Sequence, residues 1–207
     1  MQVTRIEELN KSRCKVYIEQ EFAFVLYKGE LRLYHVKEGE ELAESSYNTI
    51  MTELLPKRAK LRAMNLLQKR EYTTAQLCDK LKQGFYPETV LEEALEYVAS
   101  FHYTDDLRYA SEYIRCNVES RSRKRIEQDL QGKGVSKDVI KSAWEEWEEL
   151  GGAQDEESMI RKLLLKRGYD GDTADYSRRQ KEAAFLMRKG FSNESIRHVL
   201  RDFEEIY

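Results

Sequence analysis

Two sets of cationic side chains have the type and spacing to engage a partner. Arg115, Arg121, Arg123, Lys124 and Arg125, with Lys133 nearby, form one set. Lys57, Arg58, Lys60, Arg62, Lys69 and Arg70 form the other, with no acid between residues 54 and 70. A guanidinium forks onto the paired oxygens of a phosphate or carboxylate, and a lysine adds a mobile point charge. Either set therefore suits a nucleic-acid backbone or an acidic protein face. The competing reading is a solvated helix face, the first set being neutralised by Glu119, Glu127 and Asp129.

Other chemistry is poorly supplied. Asp105 and Asp106 are adjacent, so on a helix they point apart and share no substrate; their place after Thr104 suits a helix start. The histidines His35, His102 and His198 are dispersed, as are Cys14, Cys78 and Cys116, which predicts neither disulfides nor a metal site. Cys14 and Cys78 read as small buried hydrophobes. Tyr103, Tyr109, Tyr113, Trp144 and Trp147 read as core aromatics. With no phosphate-cradling glycine loop, no Ser/His/Asp arrangement and no ligand cluster, neither an enzyme nor a cofactor is expected.

The elements that must position these residues follow from composition and periodicity. The chain has 207 residues, 35% of them charged, a net charge of −3, and only two prolines and ten glycines, which favours long helices. The charge is segmented: residues 144–157 carry seven acids (Glu145, Glu146, Glu148, Glu149, Asp155, Glu156, Glu157) and no base, and residues 158–190 turn basic. Such a surface suits a partner presenting both protein and phosphate charge. No apolar run is long enough for a membrane helix, and the first residues lack the character of a signal peptide, so a cytoplasmic protein is expected. Period-two alternation at Cys14, Val16 and Ile18, at Phe22, Phe24 and Leu26, and at Leu31, Leu33 and His35 predicts a three-stranded meander. Its turns fall at 19–21 and 28–30, and Lys37-Glu38-Gly39-Glu40 ends it.

From about Tyr47 the pattern is helical. Pro56 marks a break near Leu54-Leu55, Pro87 suits the first turn of a helix, and Thr73 with Gln76 forms a capping-box pattern. One motif then occurs three times, starting at Gly84-Phe85-Tyr86-Pro87, at Gly134-Val135-Ser136-Lys137 and at Gly190-Phe191-Ser192-Asn193. Each glycine is expected in the left-handed conformation that ends a helix, with the next apolar residue tucked under the turn. Ser136 and Ser192 can cap the following helix, whose buried face starts at Val90, Ile140 or Ile196. Leu77 and Leu81, Ile126 and Leu130, and Ala183, Leu186 and Met187 mark the preceding amphipathic helices. Opening helices are expected around Leu61–Lys69, Leu107–Val118 and Ser158–Lys166. Such units bury little alone and must stack, so the fold expected is mostly α, with tandem three-helix repeats in an elongated curved array behind a small β meander. The boundaries expected are 1–44, 45–104, 105–152 and 153–207.

The middle of the chain resembles the RecX family. Phe101-His102-Tyr103-Thr104-Asp105-Asp106-Leu107-Arg108-Tyr109-Ala110 has that family's aromatic, paired aspartates and aromatic-alanine pair. Tyr113-Ile114-Arg115, a basic stretch, Ile126-Glu127-Gln128-Asp129-Leu130 and Gly132-Lys133-Gly134-Val135 follow in the family's order. Upstream, 63–70 and 75–81 look like the family's first repeat, and the β-rich start resembles longer members from Gram-positive bacteria. Arg121-Ser122-Arg123-Lys124-Arg125 departs from the glycine many members carry there, and the loop Gly168-Tyr169-Asp170-Gly171-Asp172 is additional. The resemblance implies a non-catalytic regulator that binds RecA and the RecA–single-stranded DNA filament, and a monomer is expected. It also implies suppression of ATP hydrolysis and strand exchange in DNA repair; the overall acidity argues against strong autonomous DNA binding, so direct contact to DNA is expected to be weak. A direct DNA-binding helical regulator and a scaffold acting through 144–157 are the alternatives.

Overall fold

The structure, a computed structural model, describes residues 1–171 and 173–205, without the side chains of 204 and 205; Asp172 of the additional loop lies outside the described residues. The chain divides into two compact units, 1–105 and 106–207.

The first unit opens with an antiparallel sheet of β1 (Val3–Glu8), β2 (Arg13–Ile18) and β3 (Glu21–Tyr27), in that order. Cys14, Val16 and Ile18 face inward, and Val16 stands opposite Phe24. Glu19 and Gln20 turn β2 into β3 with φ of 49° and 72°. The sheet holds three strands as expected, but their identity is corrected. Residues 28–33 are helix α1 (Lys28–Leu33), not a strand. The Tyr27 amide donates to Glu30 Oε2 at 2.7 Å and starts the helix. Leu31 and Tyr34, three apart, lean on the core while Leu33 is 68% exposed, so the apparent alternation is one helical face. The missed strand is β1, in which only Val3 is fully buried and the register shifts between Val3 and Arg5. It therefore carries no alternating signature.

Helix α2 (Glu44–Thr49) passes through a π-helical turn (Ile50–Leu54) into α3 (Leu55–Leu67). Pro56 lacks an amide hydrogen, and the ladder is irregular just before it. Helices α4 (Thr74–Lys82) and α5 (Glu88–Ser100) complete the first three-helix unit. Thr73 caps α4, its hydroxyl accepting from the Gln76 amide at 3.1 Å, but Gln76 Oε1 is buried with no hydrogen-bond partner among the described residues, so the box closes on one side only. Cys14 is buried, Cys78 only partly so, because its helix position lies off the Leu77–Leu81 stripe. Tyr103 is not core: it is 49% exposed and stacks on Phe101 at 5.8 Å, since the left-handed His102 (φ 55°) turns the chain outward.

The second unit contains two further three-helix units, α6 (Asp106–Asn117), α7 (Arg123–Gly132) and α8 (Lys137–Glu149), then α9 (Glu156–Lys166), α10 (Tyr176–Arg188) and α11 (Asn193–Glu205). In all three, the first and third helices share the most extensive contact. Gly134 and Gly190 take φ of 83° and 88°, and the next residue's amide returns to Leu130 or Leu186. Buried Val135 and Phe191 tuck under, and Ser136 and Ser192 cap the next helices. The first copy is corrected by one residue. There Phe85, not Gly84, is left-handed (φ 59°), and Pro87 occupies the cap position. Leu91 then matches Ile140 and Ile196, each donating its amide to the cap carbonyl. Trp144 is buried edge-to-face against Trp147, as the sequence suggested. In the additional loop, buried Tyr169 packs against Phe203 at 5.6 Å.

Candidate functional site

Within 106–207 the second and third three-helix units meet at Ser122. Its hydroxyl caps α7 by accepting from the Arg125 amide at 3.3 Å and donates to the Lys189 carbonyl at 2.8 Å. A Cβ on Gly190 would stand 2.7 Å from that oxygen, so only glycine fits. Beside this junction lies a cleft of about 470 Å³. Arg121 and Arg125 enter from the start of α7, Arg188 and Lys189 from the end of α10, over a floor of Leu163, Phe185 and Phe191. Asp129 bridges Arg121 (2.6 Å) and Arg125 (3.2 Å), and Arg121 also donates to the Tyr113 hydroxyl at 2.8 Å. One carboxylate thus orders two guanidiniums without neutralising the group. Among the described residues neither Arg188 nor Lys189 makes an ion pair, and Lys189 faces the Phe185 ring at 5.7 Å. The arrangement can grip a phosphate or carboxylate between two helix ends.

The basic run of the sequence is not one face. Arg123 points away from Arg121 and Arg125. It pairs with Glu127 (3.1 Å) and Glu148 (2.6 Å) over the Trp144 ring, as a solvated ion-pair network would. Lys124 lies exposed on that other side, Arg115 pairs with Glu112, and Lys133 sits 5.3 Å from the Tyr113 ring. In the first unit Arg58 is committed to Glu30 and the Val25 carbonyl, and Lys60 to Glu93 at 2.7 Å. Arg70 covers the Tyr72 ring at 4.1 Å, while Lys57, Arg62 and Lys69 are exposed and make no ion pair among the described residues. Sequence reasoning missed Arg188 and Lys189; their signal was the third glycine, which places the two preceding residues at a helix end.

The structure also gathers Glu157, His198 and Asp202, a group the sequence reading did not foresee. His198 Nδ1 lies 2.6 Å from Glu157 Oε1. Arg161 bonds to Asp202 and, with help from the His198 charge, holds that carboxyl below its ordinary range against the opposing effect of burial. A guanidinium already satisfies the acids that an ion would need.

Comparison with known proteins resolves what this architecture is. Residues 59–97, 105–143 and 155–200 match the first, second and third three-helix domains of RecX. The chain belongs to the RecX family. A Regulatory protein RecX from Caldanaerobacter subterraneus subsp. tengcongensis is 29% identical over 97% of this chain and 98% of its own. One from Legionella pneumophila is 30% identical over 70% and 94%. A crystal structure of regulatory protein RecX, 26% identical, superposes with a TM-score of 0.64 over 96% of this chain and 98% of that one. The three RecX domains coincide with the three helical units, and the coarse role is the regulatory one of that family. No helix among the described residues is long and apolar enough to cross a membrane.

Proposed function

We propose that this RecX chain binds RecA and the RecA–single-stranded DNA filament and lowers ATP hydrolysis and strand exchange, gripping an anionic group of the filament in the cleft at Ser122. The observation that carries the reading is the convergence of Arg121, Arg125, Arg188 and Lys189 on one cleft beside a single carboxylate, in a chain of this family. The test titrates the protein, below stoichiometry, into cognate RecA hydrolysing ATP on single-stranded DNA. Hydrolysis is expected to fall with dose, and Arg188→Glu/Lys189→Glu is expected to raise the half-inhibitory concentration about tenfold or more, the worth of one charged hydrogen bond. Neither side chain supports the fold, so the melting temperature should hold. Unchanged hydrolysis at equimolar protein would discard the inhibitor reading and leave direct DNA binding, which should collapse with salt.

A further inference from the structure

A second cationic cleft, of about 500 Å³, lies wholly within residues 1–105. Arg13 of β2, Arg58 and Arg62 of α3 and Lys80 of α4 line it, with Tyr27 and Tyr86 and no carboxylate. Arg58 is held by Glu30, but the side chains of Arg13, Arg62 and Lys80 make no ion pair among the described residues. Burial raises the Tyr86 hydroxyl's pKa, and the charges of Arg58, Arg62 and Arg13 oppose that rise. The Tyr72 hydroxyl is lowered first by its bond with Arg70 and then by Arg70, Lys80 and Arg62. Positive potential is thus concentrated where, among the described residues, the Glu30 carboxylate on Arg58 is the one anion paired with the four cations.

Next to the cleft, the sheet's outer face carries exposed rings and cations. Lys15, on the same face of β2 as Arg13, sits 5.1 Å from the Phe85 ring. Phe85 meets Phe22 edge-on at 6.3 Å, Phe22 meets Tyr17 at 5.9 Å, and Arg5 covers Tyr17 at 4.0 Å. Phe22 and Phe85 remain 42% and 38% exposed. Phe85 stands where the other two units have left-handed glycines, in a backbone region costly to a bulky side chain, and burial does not compensate for it. At that position the ring lies at the surface beside Lys15.

We infer that the N-terminal sheet and the first three-helix unit together form a binding track for single-stranded nucleic acid, with Arg13, Arg62 and Lys80 on phosphates and Phe85 and Phe22 against unpaired bases. An acidic peptide would use the cations but not the rings, and a duplex hides the base faces that the rings need. The track is separate from the cleft at Ser122 and stands without the RecA reading.

The experiment measures fluorescence anisotropy of a labelled oligothymidylate with the full chain and no RecA, across a salt series. Wild type is expected to prefer the oligothymidylate to a duplex of equal length. Arg13→Glu/Lys80→Glu should weaken binding about tenfold or more and flatten the log–log salt slope by roughly 1.4, two single-strand phosphate contacts. Phe85→Gly removes the ring and eases the backbone, so it should bind about tenfold more weakly while melting within a few degrees of wild type. Equal affinity of wild type and the double-charge variant overturns the proposal. So does equal affinity for duplex, or stronger competition by polyglutamate than by unlabelled oligothymidylate.

Discussion

Glu182 shows how a single residue can depart from a repeat and still occupy its core. The second helix of each unit buries two residues four apart: Leu77 and Leu81, Ile126 and Leu130, then Glu182 and Leu186. The Glu182 carboxylate has 1% of its side chain exposed and is held by Arg167 at 2.6 Å and Arg178 at 3.1 Å. That bond raises the Arg167 pKa against the opposing effect of burial. Truncation to alanine leaves a void and two uncompensated cations, whereas leucine refills the void and leaves arginines that water already reaches. Glu182→Ala is expected to cost about 3 kcal/mol in urea unfolding and Glu182→Leu less than about 1 kcal/mol. A larger loss for leucine would mean that the ion pair, rather than the filled volume, sets the stability of this unit. The sequence had suggested Ala183, Leu186 and Met187 as the apolar stripe, but Met187 is 51% exposed, because a glutamate in the stripe hides the true phase of the helix. The candidate site was half legible for a similar reason. Arg121 and Arg125 lie four apart and face one way, Arg123 and Glu127 the other, and a run of charges does not reveal that division.

Elements were legible where their caps and apolar spacing agreed. Ser136 and Ser192 begin helices as their position after a left-handed glycine requires, and Ile140 and Ile196 enter the core one turn later. Reading failed where a local rule had two solutions. Leu31, Leu33 and His35 alternate like a strand, yet Glu30 reaching back to Tyr27 makes the segment a helix. Gly84 looks like the left-handed residue of its copy, yet the Tyr86 ring lies where a Cβ of Gly84 would fall, 2.5 Å from Tyr86 Cε2, and the positive φ passes to Phe85. Ser122 was not singled out at all, since its second bond, to the Lys189 carbonyl, spans 67 residues. That double role sets a prediction about caps. Ser136→Ala removes an exposed cap and should cost about 1 kcal/mol. Ser122→Ala removes a buried cap and also leaves a carbonyl without its donor, so about 2–3 kcal/mol is expected. Urea denaturation of the two variants checks the ordering, and equal losses would show that the Lys189 carbonyl finds another donor.

For the whole molecule, a net charge of −3 says less than the arrangement of charge. Much of the acidic segment 144–157 is used internally: Glu145 pairs with Lys141, Glu148 with Arg123 and Glu157 with His198, while Asp155 caps α9 with its carboxyl held below the ordinary range by the Ser158 amide. A scaffold acting through that segment would have to break these bonds. Two groups of four cations each line a cleft, one in each compact unit, and each cleft is lined by residues of that unit alone. The apolar cores follow the same division. One cluster runs from Val3 to Val98, and the two others, Ala110 to Trp144 and Met159 to Leu200, belong to the second unit. A domain of about 100 residues with its own core can fold alone. Fragments 1–105 and 106–207, made separately, are therefore expected to unfold cooperatively in thermal scans. The first should retain affinity for oligothymidylate and the second for RecA. A fragment 1–105 that melts without a cooperative transition would show that the sheet and first three helices need residues beyond 105 to complete their core.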